Sequence, residues 1–419
     1  FPGVWDNLKL TLRNGEVAIV DLGENTGLLP TSGLKPEPIP LDVKLVLLGS
    51  NTTYHALYEL DGDFRKIFQV KVDFDEEIER TPATLDKYVH FLAGSLKHNR
   101  CRPMTPEGVA AVVGHSSRLC GTQKRLTLRA NVIGNLLVEA DYHAGRAGAD
   151  IIDGTHVAAA IEERVQRSSL IADKMHDELI DGTVLIDSDG ARVGLVNGLA
   201  VLTVGESSFG RPFRITARCF AGESGVVNIE REVALSGDIH DKGVHILAGF
   251  LGDRFARRNP LAMTATVAFE QSYSMIEGDS ASSTWLFAIL SALSEIPIRQ
   301  GVAVTGSVNQ LGEIQPVGGV TKKVEGYYRF CEARGLDGTQ GVVMPGRNVQ
   351  QLMLQADVRA AIAAGQFHVW PIESVEEGLE VLTGIRAGKM QDDGTYAPGT
   401  IMAAVANRLD ELRSASRRD

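Results

Sequence analysis

No Gly-x-x-x-x-Gly-Lys-Ser/Thr segment occurs anywhere in the 419 residues. That absence removes the backbone cradle with which P-loop enzymes hold nucleotide phosphates, so these residues alone are not expected to hydrolyse ATP. Long apolar runs are missing too. None reaches the roughly 18 residues of a membrane-crossing helix, and no signal-peptide pattern is present. Cysteine is scarce: Cys101, Cys120, Cys219 and Cys331 are scattered and form no CxxC pair. Reduced thiols in a cytoplasmic protein are the simplest reading. There is no HExxH and no Cys/His ligand spacing, so a metal site has no support. Positive charge is in deficit. The net charge of -11 argues against a general nucleic-acid binder, though not against a local basic patch. The first residue is Phe1 rather than methionine, which suggests a piece of a longer chain or a processed start.

What is present suffices for two or three domains, with 44% apolar residues to fill their cores. The expected class is α/β and multidomain. Residues 1–80 alternate short strand-like runs with polar segments; Val17–Val20 and Val43–Leu48 read as strands, with the extended or turning Pro36–Pro40 between them. Residues 81–175 read as a helical bundle. Leu85–Leu96, Pro106–Leu119 and Leu128–Ala147 carry apolar residues at intervals of three and four, and His156–Met175 reads as one long charged helix. Thr105-Pro106-Glu107 is a good helix start. From 176 to 385 the pattern is mixed strand and helix. Thr183–Ile186, Gly198–Val204, Phe213–Ala217 and Met263–Phe269 are expected strands, with a hairpin turn at Asp187-Ser188-Asp189-Gly190. Residues 386–419 read as a tail, its charged end from Arg408 onward a short fraying helix.

The most informative residues lie in Glu277-Gly278-Asp279-Ser280-Ala281-Ser282. Small residues surround Ser280, and Trp285, Leu286, Ile289, Leu290 and Leu293 then mark a buried helix face. Ser280 therefore sits at or just before a helix N-terminus, where free N–H groups can receive a developing oxyanion. An ordinary Asp/Ser cap on a core helix fits the same stretch. In Gly318-Gly319-Val320-Thr321-Lys322-Lys323, residues Val320, Val324, Tyr327 and Cys331 mark the inner face of a second helix, with Lys323 at its border. A lysine withdrawn from water loses proton affinity and becomes a base able to accept a serine proton. A snorkelling side chain is the plain alternative.

With these residues in view, the chain strongly resembles the Lon protease family, and most closely its LonB-type branch, which carries Glu-Gly-Asp-Ser-Ala-Ser. The resemblance extends through Gly194–Val201, Leu235–Gly243, Thr305-Gly306-Ser307 and Leu311–Gly319, over roughly residues 190 to 383. It implies an α+β proteolytic domain with Ser280 as nucleophile and Lys323, 43 residues on, as its base. It gives Asp279 and Glu277 supporting roles in orienting the nucleophile or shaping the oxyanion site, though Glu277 is equally an ordinary charged loop residue. It sets Thr305 near the lysine ammonium, and it gives His240 and His245 no role.

The resemblance also makes residues 1–80 a partial AAA+ α/β segment, lacking its Walker A and Walker B elements, and residues 81–175 the helical lid. Ser50 or Asn51 matches a nucleotide-sensing strand end, Arg65 the arginine supplied to a neighbouring subunit, and Arg129 the lid arginine that senses phosphates. A surface salt bridge is the competing reading for each arginine. For the intact protein the resemblance implies an ATP-dependent, Mg-requiring serine endopeptidase that degrades unfolded or damaged polypeptides as a hexameric ring. The dyad itself needs no cofactor. Either the ATPase core was cut away, or this is a relative that lost it. Two other readings are a non-hydrolytic, chaperone-like module on an inactive peptidase fold, and a DNA-binding accessory role, which the net acidity disfavours.

Overall fold

The computed structural model describes residues 3–18, 37–205, 207–257, 259–273 and 275–416. The chain divides between Asp75 and Glu76 into two compact units.

In the first unit, α1 (Val4–Asn14) precedes a short antiparallel pair, β1 (Glu16–Val17) with β2 (Ile39–Pro40), and then α2 (Asn51–Leu60) and α3 (Phe64–Ile67). Its centre is aromatic. Trp5 stacks on Phe68 with centroids 6.0 Å apart, and Tyr54 meets Phe64 edge-on at 5.6 Å. Asp61 closes this cluster by accepting from Lys9 Nζ at 2.8 Å and Trp5 Nε1 at 2.6 Å. These bonds, the lysine's first, hold its carboxyl well below the usual range. The expected strand Val43–Leu48 does not form: Val46 and Leu48 are exposed, and no described strand lies alongside. Such a run becomes a strand only when a second one takes up its N–H and C=O groups. Of the expected strand Val17–Val20, only Val17 is in β1; Ile19 and Val20 lie outside the described residues, as does Pro36.

The second unit begins with a helical layer: α4 (Pro82–His98), α5 (Pro106–Leu119), α6 (Ala130–Arg146) and α7 (Gly154–Ser168), with β3 (Glu77–Glu79) paired antiparallel to β4 (Arg125–Thr127). Thr81, Thr105 and Asp153 each cap a helix by accepting N–H groups of its first turn. Their inner faces meet in one core, with Leu92, Val112, Ile133, Leu136, Leu137 and Ile152 fully buried. The expected helix His156–Met175 is in fact two. Ser168 Oγ turns back on the carbonyls of Arg164 and Val165, the helix stops, and Ser169 opens α8 (Leu170–Ile180). Serine competes in this way for main-chain groups and favours helix ends.

The remainder is built on a mixed sheet of seven strands. β6 (Leu195–Val204), β7 (Ser207–Ala221), β8 (Gly225–Asn228), β9 (Met263–Phe269), β11 (Val302–Val304), β14 (Gly341–Pro345) and β15 (His368–Ile372) lie in the order β15-β14-β11-β6-β7-β9-β8. Pairing is parallel from β15 to β6, antiparallel from β6 through β7 to β9, and parallel at β8. Two-stranded pairs join β5 (Ala191–Arg192) to β10 (Ile298–Arg299) and β12 (Ser307–Val308) to β13 (Ile314–Gln315).

The alternation of side chains along each strand gives the sheet two apolar faces. Val196, Val302, Val304 and Val343 pack against α10 (Asp238–Phe255), α11 (Ser282–Ser294), α14 (Val375–Thr383) and α15 (Ile401–Ser416). Leu199, Ala303, Val342 and Met344 pack against α8, α12 (Val320–Arg334) and α13 (Ala356–Ala363). A short helix, α9 (Ile229–Glu232), links β8 to α10.

Three expectations fail here. Thr183–Ile186 is no strand, because Gln271 takes its main-chain groups: Leu185 N–H donates to Oε1 at 2.7 Å, and Nε2 donates to the Thr183 carbonyl at 2.9 Å. Asp187–Gly190 is accordingly no hairpin, since β5 pairs with the distant β10. The C-terminal stretch expected as a tail is the 16-residue α15, which buries Ile401, Met402, Val405, Leu409 and Leu412 in the core beside α11. Its spacing of apolar residues supplies the reason: they fall on one helical face.

Candidate active site

The loop from Met275 to Ala281 leads into α11, the most deeply buried helix of the sheet's first face. Trp285, Leu286, Phe287, Ile289, Leu290 and Leu293 are all essentially inaccessible, and each such burial contributes about 1.5–3 kcal/mol. Ser280 lies two residues ahead of the helix and is half-buried. The main chain is pinned on both sides of it. Gly306 N–H donates to the Ser280 carbonyl at 2.9 Å, Ser283 Oγ donates to the Gly306 carbonyl at 2.7 Å, and Ser282 N–H donates to the Asp279 carbonyl at 2.9 Å. The N–H groups of Ser280 and Ala281 have no acceptor among the described residues and are free to receive negative charge.

Lys323 comes from α12, on the opposite face of the sheet. It is 3% exposed, and its Nζ donates to Thr305 Oγ1 at 3.0 Å. Burial pulls its pKa from the ordinary 10.5 down to about 8, against an upward push from the Asp279 carboxylate. Thr305 is itself buried, at the end of β11.

Helices on opposite faces of a sheet cannot meet through it; their groups come together only past a strand end. Thr305-Gly306-Ser307, just beyond β11, is that place. Thr305 holds the lysine, Gly306 holds the Ser280 main chain, and Ser307 Oγ donates to Asp279 Oδ2 at 2.8 Å. Ligands of open α/β sheets favour this position, outside the carboxyl ends of the strands.

The neighbouring residues divide into supports and bystanders. Glu277 is exposed; its Oε1 accepts from the Gly278 N–H at 3.2 Å, and its other oxygen rests where a side chain on Gly237 would stand. His240, fully buried, lies edge-on to Trp285 at 4.3 Å, with Nδ1 3.3 Å from the Gly278 carbonyl. Burial lowers its pKa. His245 is exposed beside Arg231. In the first unit, Ser50 caps α2 by accepting from Thr53 N–H, Asn51 is exposed, and Arg65 donates to the Tyr58 carbonyl while its guanidinium lies over the Tyr58 ring at 4.5 Å. Arg129, in the second unit, precedes α6 and donates to Thr127 Oγ1 at 3.4 Å. Sequence reasoning singled out Thr305 but gave no part to Gly306 or Ser307; a main-chain donor and a lone serine carry no signature of their own.

Comparison with known proteins covers all three regions. The family model described as "LonB-like, AAA domain" matches residues 1–75, that of the "Archaeal LonB, AAA+ ATPase LID domain" matches 103–167, and that of the "Lon protease (S16) C-terminal proteolytic domain" matches 273–383. Together they define an AAA+ module with its lid joined to a peptidase domain. The chain belongs to the Lon protease family, in its LonB-type branch. It is 30% identical over 387 residues to the "Putative Lon protease homolog" of Escherichia coli, covering 92% of this chain and 65% of that protein. A like-named protein of Haemophilus influenzae is 32% identical over 259 residues, covering 61% of this chain and 43% of its own length. The "Archaeal Lon protease" of Archaeoglobus fulgidus is 29% identical over 351 residues, with shares of 83% and 53%. The chain thus spans less than two thirds of each of these relatives. Among the described residues, no helix is long and apolar enough to cross a membrane.

Proposed function

We propose that the chain is a serine endopeptidase in which Ser280 and Lys323 form the catalytic dyad. The observation that carries this reading is the buried lysine with its proton affinity lowered to about 8, fixed by Thr305 one residue from the amide that anchors Ser280. At pH 7.5 roughly a quarter of such a lysine is neutral, against roughly 0.1% for an ordinary one. Ser280 Oγ attacks the peptide carbonyl as its proton passes to Nζ, and the free N–H groups of Ser280 and Ala281 receive the oxyanion. The ammonium then protonates the leaving amine as the C–N bond breaks, leaving an acyl-enzyme. Neutral Lys323 takes a proton from the water that attacks the ester, and returns it to Ser280 Oγ as the C–O bond breaks and the acid product leaves. Asp279, held by Ser307, keeps negative charge near the ammonium that forms.

The substrates on this reading are unfolded or damaged polypeptides, delivered in the whole protein by an ATP- and Mg-driven AAA+ ring of six subunits. On the same reading, Asn51, Arg65 and Arg129 are this chain's candidates for nucleotide contacts. With no phosphate-binding loop in the sequence, no step of hydrolysis is assigned to it. The test is cleavage of casein and short fluorogenic peptides by wild type beside Ser280→Ala, with and without Mg-ATP. Cleavage is expected to vanish in Ser280→Ala while the melting temperature stays put; undiminished turnover in that variant would refute the mechanism.

A further inference from the structure

Arg118, at the end of α5 in the lid, makes a fork-to-fork pair with Glu325 of α12: Nη1 to Oε1 and Nη2 to Oε2, both 2.6 Å. Nη1 also donates to the Met353 carbonyl. Glu325 stands two residues beyond Lys323 on the same helix. Around this pair, the segment Val349–Gln355 is laced to both partners. Gln123 of the lid donates to the carbonyls of Gln350 and Leu352 at 3.0 and 2.9 Å. On the other side, Thr321 Oγ1 donates to the Gln351 carbonyl, and Gln355 N–H donates to Glu325 Oε1, each at 2.9 Å.

The joint is hollow. Cavities of about 410 and 260 Å³ adjoin it, and Arg118 and Lys322 line both. A close-packed interface transmits strain through many apolar contacts. Here a few directional charged bonds carry the link, and bidentate geometry fixes angle as well as distance. Behind α12 there is no slack. A side-chain carbon on Gly210 of β7 would lie 2.0 Å from the Lys322 carbonyl oxygen and 2.8 Å from Lys323 Cα, so main chain rests on main chain there. A pull on Glu325 therefore reaches Lys323 with little lost to side-chain rearrangement.

We infer that the Arg118–Glu325 pair is the joint through which the lid sets the position of Lys323, making Arg118 a positioning residue for the peptidase site. The inference rests on the Ser280–Lys323 reading. It gives lid movement a path to the dyad: a lid that turns draws Glu325, and with it the first two turns of α12, toward or away from Thr305.

The test compares wild type, Arg118→Gln, Glu325→Gln and the exchanged pair Arg118→Glu/Glu325→Arg, by amide hydrogen exchange over residues 320–334 and by kcat and KM for a fluorogenic peptide. Each single variant is expected to speed exchange in that helix and to lower kcat about tenfold with KM little changed, as for a coupling residue remote from substrate. The exchanged pair is expected to recover part of both, above either single variant. Equal kcat in wild type and Arg118→Gln, or an exchanged pair no better than the single variants, would overturn the joint. Failure of the dyad reading looks different: hydrolysis by wild type would then survive Ser280→Ala, whereas failure of the joint leaves Ser280-dependent hydrolysis intact and equal in Arg118→Gln.

Discussion

Replacing Lys323 by methionine should destroy hydrolysis and yet stabilise the folded chain at neutral pH. The fall from 10.5 to about 8 corresponds to about 3 kcal/mol, at 1.36 kcal/mol for each tenfold change in proton affinity. Below pH 8 both folded and unfolded chains hold the proton, and the folded state bears the whole cost of a buried ammonium. Between pH 8 and 10.5 the unfolded state keeps a proton that the folded state has released, so wild-type stability climbs with pH. Methionine has no such dependence. It leaves the Thr305 hydroxyl without its partner, a loss of about 1 kcal/mol. At pH 7 the variant should therefore exceed wild type by about 2 kcal/mol. By pH 10 the wild type regains about 2–3 kcal/mol and the order is about even or reversed. Urea denaturation of both proteins at pH 7 and pH 10 reads this directly, because other titrating groups cancel in the difference. A gap that is the same at both pH values, or a variant less stable at pH 7, would show that Lys323 carries no desolvation cost and is no candidate base.

The same geometry fixes two more outcomes. Gly210→Ala inserts a carbon into the contact with the Lys322 carbonyl; displacement of α12 should lower kcat at least tenfold and stability by about 1–3 kcal/mol, and peptide assays with denaturation curves would check both. Asp279→Asn removes the charge that raises the Lys323 pKa, so the acid limb of the kcat/KM profile, expected near pH 8 in wild type, should move to lower pH; a shift upward would contradict the assigned electrostatics.

Much of the fold is legible in the sequence because its signals are local. Strand Met263–Phe269 can be read to the residue, and Pro106–Leu119 is marked at its start by Thr105 and Pro106. Sequence patterns mislead where a distant partner decides. Gln271 takes the main-chain bonds of Thr183 and Leu185, and Val43–Leu48 pairs with no described strand. Ser168 and Ser169 break a helix whose apolar spacing runs on without interruption. At the candidate site, residue types and spacing single out Ser280, Lys323 and Thr305, but a separation of 43 residues says nothing about distance.

The sequence by itself determined the family, the buried helix behind Ser280 and the apolar face that draws Lys323 inward, because periodicity and motif spacing act over one or two turns of chain. Only the tertiary structure decided that α11 and α12 lie on opposite faces of one sheet and converge past the end of β11. There Thr305, Gly306 and Ser307 address lysine, serine main chain and aspartate in turn. Strand order brings those segments to one edge, and burial at that edge lowers the proton affinity of Lys323.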